Sequence, residues 1–369
     1  MSARRKTSTR ALNRALLARQ LLLERVELPV EDALGRLVAL QAQLARPPFV
    51  ALWTRLRGFS RDTLRRAAHE RRVVRATMMR GTIHLLRADD YRAMRGLLQP
   101  AFDAGVRSIL KEWIDGADLA AVDAEARAFF ARSPSTFDAF RKQVKAARPH
   151  ENERAPAYAA RMRIPLVQLP ADVPWGWSAT AAFALADEWL GAAIATSGGD
   201  ARALVRRYLA AFGPATVADA QCWTGVQGLR AVFAEMQDEL VELEDERGRA
   251  LYDLPDAPRP AEDVPAPVRF LPEFDNAILG HEERSRIVDD AHRPRLVTRN
   301  LQVPATVLVD GRVWGSWTVT KARRTATLAI TPFDKLPTKT LRAELEAEGE
   351  EVLGFVEPEV STRAVRIEQ

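Results

Sequence analysis

Leu37-Val-Ala-Leu-Gln-Ala-Gln-Leu-Ala-Arg-Pro-Pro48 is the stretch on which the reading of the chain turns. Val30, Leu34, Leu37 and Gln41 follow the i, i+4, i+7, i+11 stripe, so a helix is expected over 30–43 with Gln41 on its buried side. If that helix continues, Gln43 points about 200° away from Gln41. Pro47 disfavours helical backbone at Arg46, so the helix must fray before it. A structural reading has Gln41 bonded to a helix end and Gln43 solvated. A functional reading needs the chain to straighten near Gln41, so that two amides two residues apart can face one pocket.

Outward from this stretch, residues 8–25 read as a helix that Leu28-Pro29 breaks. A short helix is expected over 49–57, and Ser60 as the N-cap of another over 61–70. Arg71–Met79 and Thr82–Leu86 read as two strands turned by Arg80-Gly81. Helices followed by a two-stranded hairpin give the winged-helix order, a helix-turn-helix variant. The order recurs. Helices are expected over 98–115, 118–132, 136–147 and 151–163, then a hairpin over 164–178 and a helix over 180–194. Ser197-Gly-Gly199 reads as a linker. Helices over 201–212, 217–224 (capped by Thr216, closed by Gly225) and 228–236 lead to strands at 240–244 and 249–252. Five prolines between 254 and 268 mark a junction, after which the chain turns to β. Thr306–Val309, Asp310-Gly311 and Arg312–Trp317 form a hairpin with an Asp-Gly turn. A strand at 325–331 and a helix at 338–351 follow.

The fold class expected is therefore α+β: tandem winged-helix (helix-turn-helix) domains with a β-rich C-terminal region. The units are 1–90, 91–197, 198–262 and 263–369, the last with hairpin 306–317. A chain of 369 residues has length for two to four domains. No uncharged apolar run is long enough to span a membrane. The basic start is interrupted by Arg10, Arg14 and Arg19 rather than followed by an apolar region, so a cytoplasmic protein is expected. The one cysteine, Cys222, excludes an internal disulfide and reads as buried filler.

His69, His84, His150, His281 and His292 are scattered without ligand spacing, so no metal is expected, and the chain lacks the glycine-rich motifs of nucleotide cofactors. The net charge is +5, compatible with nucleic acid. Ten arginines between Arg55 and Arg87 face only Asp62 and Glu70, which reads either as solvated surface or as a phosphate-binding face on the first winged helix. His84 on the inferred wing is either a satisfied strand histidine or a DNA contact. Leu271-Pro-Glu-Phe-Asp-Asn276 is polar enough to line a site and equally suited to capping a turn.

Gln41-Ala-Gln43, Pro47, Leu52-Trp-Thr-Arg55, Met79-Arg-Gly-Thr-Ile-His84, Gly213-Pro-Ala-Thr216 with Asp219 and Trp223, Phe270–Asn276 and Val309–Trp317 occur in an order that resembles the winged-helix DNA glycosylases related to AlkZ and YcaQ. The resemblance spans nearly the whole chain. It implies a C-shaped array, no cofactor, a monomer acting on double-stranded DNA, and Gln41 and Gln43 as the catalytic pair. Of the family's two forms of the motif, this is the one with two glutamines, linked to self-resistance against DNA-alkylating natural products through removal of bulky N7-guanine adducts or interstrand crosslinks. The expected DNA contacts are Arg46, Arg55, Arg57, Arg80, Thr82 and His84 around the motif, and Arg312 and Trp314 on the late hairpin. The alternative is a non-catalytic winged-helix regulator that reads DNA sequence.

Overall fold

The computed structural model describes residues 5–149, 152–296 and 303–368. His150 and the basic start at 1–4, both part of the sequence reading, fall outside them. The helix expected over 30–43 ends early: it runs Val30–Leu37. Val38 then takes φ 67° and ψ −55°, and the Ala39 amide donates to the Leu37 carbonyl at 2.9 Å. That is a γ-turn around a β-branched residue, a strained conformation. It reverses the chain, so Leu40–Gln41 enters a sheet as an edge strand.

That sheet has five strands in the order Leu40–Gln41, Ile83–Arg87, Val73–Thr77, Leu166–Gln168 and Phe183–Leu185. The hairpin expected from 71–79 and 82–86 of the first unit forms as Val73–Thr77 and Ile83–Arg87 and pairs directly with strands from beyond residue 91. Arg75 lies opposite Gln168 and Ala76 opposite Val167, so the boundary drawn at 90/91 runs through one continuous sheet. The hairpin expected at 164–178 and the helix expected at 180–194 are corrected by the same pairing. The partner of Leu166–Gln168 is Phe183–Leu185, and the helix after it is only Ala186–Leu190. The loop between them is held instead by its aromatic side chains. Trp175 and Trp177 meet Phe49 edge-on, with centroids 5.4 and 6.4 Å away.

The region 198–262 holds the helices Ala201–Phe212, Val217–Thr224 and Leu229–Glu235 and the strands Val241–Glu244 and Ala250–Asp253. Thr216 and Asp219 form a reciprocal capping box at the start of the middle helix. Arg5–Lys6 adds a parallel third strand at the edge of Val241–Glu244, which the sequence did not signal. Trp223 takes the core side of the Val217–Thr224 helix, so its neighbour Cys222 is exposed, not buried filler.

The C-terminal sheet orders Thr362–Ile367, Thr325–Pro332, Arg312–Ala322, Thr306–Val309 and Arg269–Leu271, with Lys339–Val356 packed on it. Asp310 and Gly311 both have positive φ, as an Asp-Gly hairpin turn requires. This turn packs against the start of the chain, with Gly311 buried and the Asp310 side chain half-exposed. Arg10 and Arg14 of the Thr9–Arg19 helix both grip the Asp310 carboxylate, and a Cβ on Gly311 would lie 2.5 Å from Leu17. Among the described residues no helix is long and apolar enough to cross a membrane.

Two fully buried ion pairs tie these parts together. Arg19 is bidentate to Asp253 at 2.7 and 2.8 Å, joining the first helix to the 198–262 region. Arg55, which ends the Pro47–Arg55 helix, is bidentate to Asp275 at 2.9 and 2.8 Å and also donates to the Gln20 and Ala51 carbonyls. Removing one partner of such a pair strands the other charge in a dry site, at about 3–5 kcal/mol. Asp275→Ala is therefore expected to destabilise the protein by that amount in chemical denaturation. Arg57→Ala, which removes an exposed pair with Glu27 at 3.8 Å, should cost under about 1 kcal/mol.

Candidate active site

The chain is extended at Leu40–Gln41 and bends from Gln43, and the side chains of Gln41 and Gln43 both reach the turn that joins the neighbouring hairpin, at Arg80 and Ile83. Gln41 pairs across the strand with His84, and the Ala42 amide donates to the Ile83 carbonyl at 2.7 Å. The Ile83 amide in turn donates to Gln43 Oε1 at 2.8 Å. A side-chain oxygen thereby takes the place of a backbone carbonyl and extends the ladder by one residue. Gln41 Oε1 accepts from Arg80 Nη2 at 2.9 Å. Both amide flips follow from these donors, since only an oxygen can accept them. Gln41 is 8% exposed, while Gln43 stands in the open at the rim. Each oxygen keeps a second lone pair, and each amide keeps its NH2.

The sequence motif Leu271–Asn276 clamps this segment. Asn276 donates to the Ala39 carbonyl beside the γ-turn. Glu273 pairs with Arg46 at 2.6 Å, just past Gln43. Asp275 holds Arg55. Phe274, at φ 61°, makes the bend that aims its polar neighbours at 39–55. The capping reading of this motif and the site reading are thus joined: it shapes the site from behind.

His84 is fully buried. Its Nδ1 sits 3.1 Å from the Thr82 carbonyl, which fixes the proton there, and its Nε2 is left as a bare acceptor. Burial, with the Arg80 charge adding to it, pushes its pKa down to about 3. His84 is therefore neutral at any physiological pH.

The electrostatics around the pair are one-sided. Arg75 donates twice to the Ala42 carbonyl, at 3.0 and 2.7 Å, and burial lowers it to about 10, with Arg161 pushing the same way. Arg80 is lowered to about 10 by burial, with Arg284 adding to it. Burial also lowers Arg161 and Arg284. Arg75 and Arg80 have no carboxylate partner among the described residues. Arginines at about 10 remain charged at neutral pH, so the site carries uncompensated positive potential suited to a polyanion. No three His, Cys, Asp or Glu side chains among the described residues could share a metal ion.

Several other expected contacts lie elsewhere. Arg55 is sealed against Asp275 and has no face left for a phosphate. Trp314 is 9% exposed in the core of the C-terminal sheet, beside Val50 and Trp317. Arg312 donates to the Ser285 carbonyl, next to the Asp310-Gly311 turn that Arg10 and Arg14 hold. Of the ten arginines at 55–87, Arg61 stacks on Trp175 at 3.8 Å, Arg65 meets Asp62, Arg72 meets Glu70 and Arg87 meets Asp90. They do not form one phosphate face, because helix and strand send them to different sides. The exposed basic turn lies instead at Lys321, Arg323 and Arg324, the other end of the long C-terminal hairpin. A length of strand beyond Trp317 was the signal for it.

With this geometry in hand, similarity to known proteins is informative. A curated protein of Streptomyces sahachiroi, described as an interstrand DNA cross-link repair glycosylase, is 30% identical over 151 residues, covering 38% of this chain and 40% of that relative. The aligned part thus spans two fifths of the relative's length. The solved structure of Streptomyces sahachiroi DNA glycosylase AlkZ superposes with a TM-score of 0.80 at 23% identity, over 98% of this chain and 100% of that one, which shows the shared fold. The model of the AlkZ-like DNA glycosylases matches residues 34–355, from the Val30–Leu37 helix to the Lys339–Val356 helix. The chain belongs to the AlkZ-like DNA glycosylase family.

Proposed function

We propose that this protein is a monofunctional DNA glycosylase that hydrolyses the N-glycosidic bond of N7-alkylated guanine, bulky adducts and interstrand crosslinks included. The observation that carries the reading is that the Gln41 and Gln43 side chains meet the same hairpin turn, with each amide oxygen fixed by a donor there, Arg80 and the Ile83 amide. An N7-alkylated guanine is cationic and leaves readily, so little acid catalysis is needed. The second lone pairs of the two oxygens hold a water against C1′. As the C1′–N9 bond breaks, its electrons neutralise the base. The water oxygen bonds to C1′, its proton passes to solvent, and the products are free alkylguanine and an abasic site. Neutral amides stabilise the oxocarbenium-like transition state less than a carboxylate does, which confines the enzyme to labile adducts.

The helix–hairpin order around the motif and in 198–262 supports winged-helix units laid along a duplex in a C-shaped monomer. Arg46 and Thr82, close to the pair in sequence and on its neighbouring turn, would contact the sugar–phosphate backbone, and Arg57, past the far end of the Pro47–Arg55 helix beside Glu27, would meet the duplex farther along. A crosslinked base cannot leave the helix, so a site open at Gln43 suits a lesion that stays stacked. Excision would open base-excision repair in the cytoplasm and protect a cell from its own DNA-alkylating product. A regulator that only reads sequence has no use for two immobilised amides, and the family membership disfavours it.

In single-turnover assays the wild type should release 7-methylguanine from methylated duplex DNA. Gln41→Ala and Gln43→Ala should each slow release at least tenfold, about 1.4 kcal/mol of barrier, with duplex affinity retained; absence of release by the wild type from any N7-adducted DNA would falsify the reading. Because His84 does not titrate near neutrality, the rate should be flat between about pH 6 and 8. Stability should respond differently. The unfolded chain protonates His84 below its ordinary pKa while the folded one declines the proton. Stability is then lost as pH falls from about 6.5 toward 3, by at most about 1.4 kcal/mol per unit from this residue. His84→Gln should shallow that slope in denaturation measured across pH.

A further inference from the structure

We propose that Arg80 is a positioning residue for Gln41, held in place by the C-terminal end of the Val217–Thr224 helix, rather than a phosphate contact. The inference rests on the glycosylase reading of the glutamine pair, yet its geometry can be tested without activity.

Three independent features converge on Arg80. Its backbone takes φ 57° and ψ 15°, the left-handed region, in the turn between Val73–Thr77 and Ile83–Arg87. A non-glycine residue keeps such a conformation only where its surroundings enforce it. Gly225 supplies that surrounding. It closes the Val217–Thr224 helix at φ 80°, and a Cβ there would lie 3.3 Å from the Arg80 nitrogen. The guanidinium then spans two parts of the chain, one Nη donating to the Trp223 carbonyl and the other to Gln41 Oε1 at 2.9 Å.

The helix end is the counter-charge. The last carbonyls of a helix carry partial negative charge and lack intrahelical partners. Trp223 is one residue from the end of its helix, so Arg80 completes it. A carboxylate in that place would repel the DNA backbone and would compete with Gln41 for the guanidinium. With a backbone carbonyl as its second acceptor, Arg80 keeps one fork free to fix the Gln41 amide. A lysine cannot do both, because it lacks the planar fork that reaches two acceptors at once. The consequence is a link between distant sequence. The orientation of the amide at residue 41 depends on the docking of the helix at 217–224.

The experiment compares wild type, Arg80→Lys and Arg80→Ala, each also in a Gln41→Ala background, after circular dichroism and thermal unfolding confirm a native fold. The side-chain NH2 resonances of Gln41, identified by their loss in Gln41→Ala, report the geometry in free protein. Arg80→Lys should move them toward the values of a solvated glutamine, cut single-turnover release of 7-methylguanine at least tenfold, and change duplex affinity less than threefold. In the Gln41→Ala background, Arg80→Lys should cost no further rate, since its effect passes through Gln41. If Arg80→Lys leaves the Gln41 resonances and the rate unchanged, or if rate losses multiply in the double variant, the positioning role is overturned. A loss of affinity with a salt slope shallower by about one would then mark a phosphate contact. Should wild type release no base, the glycosylase reading fails, and the resonances alone decide whether Arg80 orients Gln41.

Discussion

The buried ion pair between Arg55 and Asp275 is the constraint on which the site depends. It joins the end of the Pro47–Arg55 helix to a segment 220 residues away. Both charges are fully desolvated, and every remaining polar atom is used: Arg55 also donates to Gln20 and Ala51, and Asp275 also accepts from the Ala277 amide. Such a pair adds little net stability over an apolar contact of the same shape, but it tolerates only one geometry. Geometry is what the neighbours need. With Asp275 fixed, Glu273 meets Arg46 and Asn276 meets the Ala39 carbonyl. The strained γ-turn at Val38 is thereby held between a helix on one side and a clamp on the other.

That turn is where local preference and tertiary demand conflict. Val38 is a poor residue for positive φ, and the apolar stripe from Val30 favours more helix. The cost is offset because Val38 and Leu40 enter the core and Leu40–Gln41 completes a sheet. The gain is directional. Ending the helix at Leu37 lets the side chains of residues 41 and 43 reach the same Arg80–Ile83 turn, where helical backbone would separate them.

Around the pair, charge is arranged in an unusual way for a site proposed to support a developing cation. Arginines surround it, and the two nearest Gln41 and Ala42 are answered by backbone carbonyls, Arg75 by Ala42 and Arg80 by Trp223, while Arg46 pairs with Glu273. Carbonyls satisfy a guanidinium without adding a negative charge. The positive potential therefore survives to meet phosphates, and the duplex itself supplies the anionic surroundings that an oxocarbenium ion requires. Amides at 41 and 43 fit such a setting, since they accept hydrogen bonds from arginine and backbone without being neutralised by them.

The sequence by itself determined a good deal. Helical periodicity and caps placed Ala201–Phe212 and the Thr216-capped helix, and the Asp-Gly pair placed a hairpin turn, because these signals act over a few residues. It also singled out Gln41 and Gln43 and the ordered motifs that mark the family. What it could not determine is where those side chains end up. Arg55 and Trp314 look like surface contacts in one dimension and are core in three. Leu166–Gln168 pairs with Phe183–Leu185 rather than with the segment that directly follows it, since a strand's partner is set by what lies across the fold. The Asp310-Gly311 turn formed as expected, yet packs against a helix three hundred residues earlier, leaving the basic turn at 323–324 exposed instead. Only tertiary structure decided that the helix stops at Leu37 and that Arg80 reaches Gln41, because both depend on groups contributed by chain 140 to 240 residues away.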